Sequence, residues 1–258
     1  MLKALLFSLL FLPMLAQAQA RIAIIIDDIG YHRLRGEVIA RLPGAITYAV
    51  IPQTPHGPAL ASLAQDNGKE VILHMPMATD GFSALDAGGL HKEMSADDFA
   101  ATIDAAVRRI PQATGMNNHM GGALTADETA MNQLMTRLGE HGLFFVDSRT
   151  TPLSVAAKKA RQHGLGHAGR DIFLDNKRDL ASINTQFNRA ISIARRRGHA
   201  IVIGHPYPET IEYLENILPL LELADIELVP VSKLLSHPHN HRQLATAKEK
   251  PDQADPAL

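Results

Sequence analysis

The chain has 258 residues with 25 basic and 27 acidic side chains, a net charge of −2. No stretch concentrates positive charge, so nucleic-acid binding, which needs a dense basic surface, is disfavoured. Cysteine and tryptophan are absent, which excludes disulfides and thiolate metal ligands and leaves few aromatic rings to grip a sugar polymer.

Residues 1–20 read as a secretory signal peptide. Lys3 gives a short positive start, Ala4 to Leu15 is apolar, and Ala16-Gln17-Ala18 and Ala18-Gln19-Ala20 have small-x-small cleavage character. The apolar run is shorter than the roughly 20 residues of a membrane span, and no later segment is long enough. The expectation is an exported protein, periplasmic or extracellular, with no stable membrane anchor after cleavage; an uncleaved anchor is the alternative.

From there the pattern alternates. Arg21 to Ile26 is a short, buried, β-branched strand. A helix follows over 32–42, a strand over Ala45 to Ile51, a helix over 57–67 and a strand over Val71 to Leu73. Met75 to Met94 is rich in Gly, Ala and Met and lacks periodicity; so long a loop suggests a functional cover over a site. Ser95 opens a helix to about Ile110, with Asp97 and Asp98 in its first turn. Thr125-Ala-Asp-Glu128 predicts a capping box and a helix to His141. Leu143 to Val146 is a strand. Thr151 is the expected cap of a helix over Pro152 to Arg161. A long helix over 179–197 stops at Gly198, then come a strand over Ala200 to Ile203, a helix over 208–223 and a strand over Ile226 to Val229. Residues 237–258 read as a solvated tail. One α/β domain over 21–236, with about seven or eight parallel strands and helices outside, is therefore expected. It is either a closed barrel or an open doubly wound sheet.

Parallel α/β folds bind ligands at the carboxyl ends of their strands. There the sequence places Asp27-Asp28, His74, Asn117-Asn118-His119, Asp147-Ser148-Arg149, Asp175-Asn176 and Gly204-His205. Adjacent carboxylates repel unless a cation sits between them, so a metal is expected, with one Asp ligating and the other acting as a base. A helix cap is the alternative for this pair. His74 and His119 can each offer an imidazole nitrogen, and three protein ligands plus water is the usual catalytic zinc set. His119 sits between glycines and is expected in a tight loop.

Five segments carry a resemblance: Ile24-Ile-Ile-Asp-Asp-Ile-Gly30, Leu73-His-Met-Pro-Met77, Gly115-Met-Asn-Asn-His-Met-Gly121, Phe145-Val-Asp-Ser-Arg-Thr150 and Ile203-Gly-His-Pro206. Over about residues 21–235 the chain resembles the divergent polysaccharide deacetylases, a branch of the metal-dependent polysaccharide deacetylases. The resemblance implies a distorted seven-stranded (β/α) barrel and a hydrolase acting on N-acetyl groups of a carbohydrate, with a cell-envelope glycan as the expected substrate. It implies a divalent metal, zinc by preference, with Asp27 as base, Asp28 as ligand and His205 as acid. The broad family has a second His four residues after the first, where this chain has Ala78. The family's Arg-Pro-aromatic motif is not recognisable either. His74 and His119 are therefore expected to complete the ligand set, and Asn117, Asn118, Asp147, Arg149 and Asp175 to meet the substrate. A catalytically silent barrel that binds an envelope glycan or a protein is the other reading.

Overall fold

The computed structural model describes residues 19–79 and 84–236. The expected signal peptide, except its last two residues, and the expected tail lie outside the described residues. The elements are β1 (Ala20–Ile29), α1 (Arg33–Arg41), β2 (Thr47–Val50), α2 (Gly57–Asp66), β3 (Glu70–Met77), α3 (Ala96–Arg109), β4 (Gly115–Met120), α4 (Glu128–Glu140), β5 (Phe144–Asp147), α5 (Ala156–Gln162), β6 (His167–Gly169), β7 (Ile172–Phe173), α6 (Leu180–Arg197), β8 (His199–Gly204), α7 (Pro208–Ile217) and β9 (Ile226–Leu228). Every pairing between these strands is parallel, in the order β6-β5-β4-β3-β2-β1-β8-β7, with β9 added to β1. This is the curled, deacetylase-like barrel. Only Arg170 and Asp171 separate β6, which pairs with β5, from β7, which pairs with β8. The two pieces act as one broken stave and complete a distorted barrel of seven.

Strand alternation divides the apolar residues into two cores. Ile22, Ile24 and Ile26 of β1, Leu73 of β3 and Val202 of β8 face the helices. Ala23, Ile25, Ile72, Val146, Ile201 and Ile203 fill the barrel interior, closed at the amino end by Val229, Val231 and Leu234, which follow β9. With apolar side chains filling the interior, Asp27, His74 and His205 follow at its carboxyl end.

Several local expectations change. β3 runs through His74 to Met77 and β4 spans Gly115–Met120, because the two pair continuously from Ile72↔Gly115 to Met77↔Met120. His74 is thus within a strand, and His119 is on a strand and not in a glycine loop. The cap of α4 is Asp127, whose carboxylate accepts from Ala130 N, whereas the Thr125 hydroxyl donates to Gly121 O. α5 starts only at Ala156: Ser154 just before it donates to Asp147, and Thr151 accepts from Leu153 N, 3.2 Å away. The 208–223 helix ends at Ile217 and continues as short 3-10 turns. The Ser95 cap and the left-handed Gly198 that ends α6, at φ 83°, are as expected. Among the described residues no helix is long and apolar enough to cross a membrane.

A candidate metal and acid–base site at the carboxyl rim

The interior face of each strand can be followed to its end by counting in twos. Ala23 and Ile25 lead to Asp27, Ile72 to His74, Gly115 to Asn117 and His119, Phe173 to Asp175, and Ile201 and Ile203 to His205. Asp28 has the opposite parity and should face outward. It reaches the same space through a bulge. β1 pairs Ile26↔Tyr48 and then Ile29↔Val50, one residue more on β1 than on β2, and Asp28 sits at φ 56°. Asp is among the few residues that tolerate this left-handed conformation, and a bulge re-aims a side chain. Gly30 follows at φ 133°, where a Cβ would lie 1.8 Å from Thr54 Oγ1, so the turn requires glycine.

Three donor atoms form a triangle. Asp28 Oδ1 lies 2.9 Å from His119 Nδ1 and 3.1 Å from His74 Nε2, and the two imidazole nitrogens are 3.1 Å apart. Protein partners set the tautomers. His74 Nδ1 donates to Asn117 Oδ1 at 2.8 Å, leaving the Nε2 lone pair in the triangle. His119 Nε2 lies 3.2 Å from Asp86 Oδ2, which leaves its Nδ1 for the triangle. A tetrahedral zinc with N and O ligands at ~2.0–2.1 Å has ligand edges of about 3.3 Å, so this set fits a small divalent cation with the fourth position open. Its electrostatics agree. Burial works against the Asp28 charge, yet His119 and His74 hold its carboxyl well below the usual range. Burial also opposes charge on His74, but Asp27 and Asp28 outweigh it and raise its pKa. The cluster calls for positive charge.

Asp27 stands beside the triangle, 2 % exposed. Asn117 Nδ2 donates to its Oδ1 at 2.8 Å, and His74 Nδ1 is 3.6 Å from the same oxygen. Burial pushes the Asp27 carboxyl up, against the pull of His74 and His205. On the neighbouring strand, His205 Nδ1 donates to Asp175 Oδ1 at 2.8 Å and its Nε2 points inward, 4.0 Å from Asp28 Oδ2. Asp175 Oδ2 accepts from His205 N at 2.6 Å and from Thr210 Oγ1 at 2.8 Å, so the carboxylate is locked. Burial disfavours charge on His205, but Asp175 overrides it and, with Asp27 and Asp28, pushes the imidazole up to about 9. Phe173 and Tyr207 flank its ring.

Asp27, Asp28, His74, His119 and His205 thus converge. The residues expected to meet the substrate have partners within the protein. Asn117 is spent on His74 and Asp27, and Asp175 on His205. Asn118 and Asp147 have outward parity: Asn118 bonds Met120 O and Ser148 N, and Asp147 bonds Arg149 N and Ser154 Oγ. Arg149, exposed at φ 51°, donates to Arg170 O. Sequence reasoning passed over Asp86, Tyr31 and Thr210. The long 75–94 loop was the only signal for Asp86, which reaches the site from its described part.

The model of the divergent polysaccharide deacetylases matches residues 24–235. The chain belongs to the divergent polysaccharide deacetylase family. Its similarity to a Haemophilus influenzae protein is 43 % identity over 217 residues, covering 84 % of this chain and 77 % of that one. Protein YibQ of Escherichia coli is 39 % identical over 226 residues, 88 % and 70 % of the two chains. Among solved structures, protein ATU2773 of Agrobacterium tumefaciens superposes with a TM-score of 0.80 at 24 % identity, covering 86 % of this chain and 92 % of that one. A family 4 carbohydrate esterase of Streptomyces lividans in complex with acetate gives 0.57 at 13 %, over 86 % and 100 %. A family 4 pseudoenzyme of Bacillus anthracis gives 0.53 at 16 %, over 86 % and 70 %. At such identities the structural likenesses establish a shared fold. The family membership rests on the matched model and the relatives in sequence, and the deacetylase fold is where the triangle of this divergent polysaccharide deacetylase lies.

Proposed function

We propose that the protein is an exported, metal-dependent carbohydrate deacetylase that hydrolyses N-acetyl groups of an envelope glycan. The carrying observation is that Asp27 and His205, which follow the paired Ile26 and Gly204 of β1 and β8, both stand beside the Asp28–His74–His119 triangle. Bound there, a divalent cation, zinc by donor type, would polarise the acyl oxygen and acidify the attacking water. Asp27 accepts the proton of that water. Its hydrogen bond from Asn117 and its approach to His74 both fall on Oδ1, so Oδ2 is available. His205 Nε2 delivers a proton to the amide nitrogen as the C–N bond breaks, releasing acetate and a free amine. Asp175 holds the ring so that Nε2 faces the site. Such acid–base help is worth about 10²–10⁴-fold.

The silent-barrel reading draws on the fold shared with the Bacillus anthracis pseudoenzyme and on Ala78 standing where the broad family has its second His. The test is acetate release from N-acetylated glycans by the zinc-loaded protein. Zinc binding with no turnover on any of them would favour the silent barrel. The N-terminus of the secreted product, expected at Gln19 or Arg21, tests export; an intact Met1 would refute cleavage.

A further inference from the structure

His119 differs from the other imidazoles of the site. His74 is 2 % exposed and is held from behind by Asn117, whereas the His119 side chain is 19 % exposed at the end of β4. A half-open ring at a strand end can rotate about χ1 and χ2, and each alternative rotamer takes Nδ1 away from the triangle. One side chain opposes this. Asp86 extends from the segment after β3 and sets Oδ2 3.2 Å from His119 Nε2. Its other oxygen accepts a 2.7 Å hydrogen bond from the Tyr31 hydroxyl, which comes from the turn between β1 and α1. The two oxygens of one carboxylate are thus divided between a ring of the triangle and a fixed donor on a different element. The backbone beneath Asp86 is anchored too, since Leu90 N donates to Pro76 O and Ala78 N to Leu90 O, both at 2.8 Å. Burial, then Asp86, pushes the Tyr31 hydroxyl up to about 12, so it remains a donor at neutral pH.

We propose that Asp86 is the positioning residue that makes His119 a metal ligand, and that Tyr31 fixes Asp86 for that task. The inference rests on reading Asp28, His74 and His119 as a metal triangle. Carboxylates that orient ligating histidines typically contribute 10–100-fold to metal affinity.

The test is zinc affinity, measured by competition with a chromophoric chelator, for the wild type, Asp86→Ala, Asp86→Asn and Tyr31→Phe. Asp86→Ala should bind zinc about 10–100-fold more weakly. Asp86→Asn keeps an acceptor and should lose roughly 3–10-fold, and Tyr31→Phe should lose less than Asp86→Ala, within the same range of effects. A merely structural role would lower thermal stability in the presence of a chelator, so equal melting points for all four metal-free proteins are expected. Zinc should also slow amide exchange across 84–90 in the wild type but not in Asp86→Ala. Wild-type zinc affinity in Asp86→Ala would overturn this inference alone, and should that variant not fold, wild-type affinity in Asp86→Asn does so. A wild type that takes up no zinc would overturn the metal-triangle reading together with it.

Discussion

At the amino end of the barrel Lys69 donates to Leu42 O and, at 2.6 Å, to Gly44 O. Thr47 Oγ1 donates to Glu70 Oε1 at 2.9 Å and accepts from Val231 N at 3.0 Å, and Ser232 N reaches the same Glu70 oxygen at 3.3 Å. There each charge is matched by neutral dipoles of the backbone, and the groups point at one another. At the carboxyl end Asp27, Asp28 and Asp86 crowd three imidazoles, and Asp28 Oδ1, His74 Nε2 and His119 Nδ1 all point at one small volume. Burial with matched partners is how a fold satisfies polar groups that cannot reach water. Burial with converging lone pairs is a departure from that rule, and such departures mark functional sites. The contrast teaches that buried polarity carries no function by itself; the direction of the unused lone pairs does.

The largest expected effects divide two neighbours at the rim. Asp28→Ala should weaken zinc binding by at least about 100-fold, more than loss of an orienting residue costs. Asp27→Asn should keep the zinc and lower turnover by about 10²–10⁴-fold, because an amide cannot take the proton. Elemental analysis and acetate release measure both. Equal zinc loss in the two variants would mean that both carboxylates ligate.

His205→Gln should lower turnover by about 10²-fold at unchanged zinc affinity. Asp175→Asn should cost less, since His205 keeps its ring and loses only its anchor. Zinc loss in either variant would place His205 among the ligands and break the division of roles between acid and metal ligands.

The amino end should answer in stability. Lys69→Met takes the Lys69 donor from the buried Leu42 carbonyl and one of two donors from Gly44 O, and should lower the unfolding free energy of the metal-free protein by about 1–3 kcal/mol in denaturant titrations. Zinc affinity should not change. A fall in affinity would show that the two ends are not independent.

The smallest effect is expected on the outer surface. Asp104 pairs with Arg137 and His141, bridging α3 and α4, and the Arg137 hydrogen bond, followed by that of His141, lowers its pKa to about 2. The folded value lies below the ordinary 3.8, so the stabilisation is present above about pH 4 and is lost as pH falls towards 2. Asp104→Asn should melt about 1–3 °C lower at pH 6, a modest loss for an exposed pair. That difference should close by pH 2. A gap that persists at pH 2 would assign the effect to packing.

Much of the rim was legible from alternation alone. The runs Ala23-x-Ile25-x-Asp27, Ile72-x-His74 and Ile201-x-Ile203-x-His205 carry the interior face straight to the site. The same parity sets Asn118 and Asp147 on the outward face of their strands. The cap of α3 was readable because Ser95 acts within three residues of itself. At α4 two capping patterns overlapped, and Asp127 held the position that Thr125 was expected to fill.

The sequence by itself determined the βα alternation, the deacetylase family, the place of Asp27, His74 and His205 at strand ends, and the need for His and carboxylate ligands in a chain without cysteine. These follow from local periodicity and residue chemistry. Only the tertiary structure decided that Asp28 turns inward through a bulge, that β3 and β4 pair far enough for His74 and His119 to meet, and that Asp86 stands behind His119. A bulge is defined by a register against a neighbouring strand, and a contact between residues 86, 31 and 119 by loops that close across the barrel. Neither leaves a periodic trace along the chain.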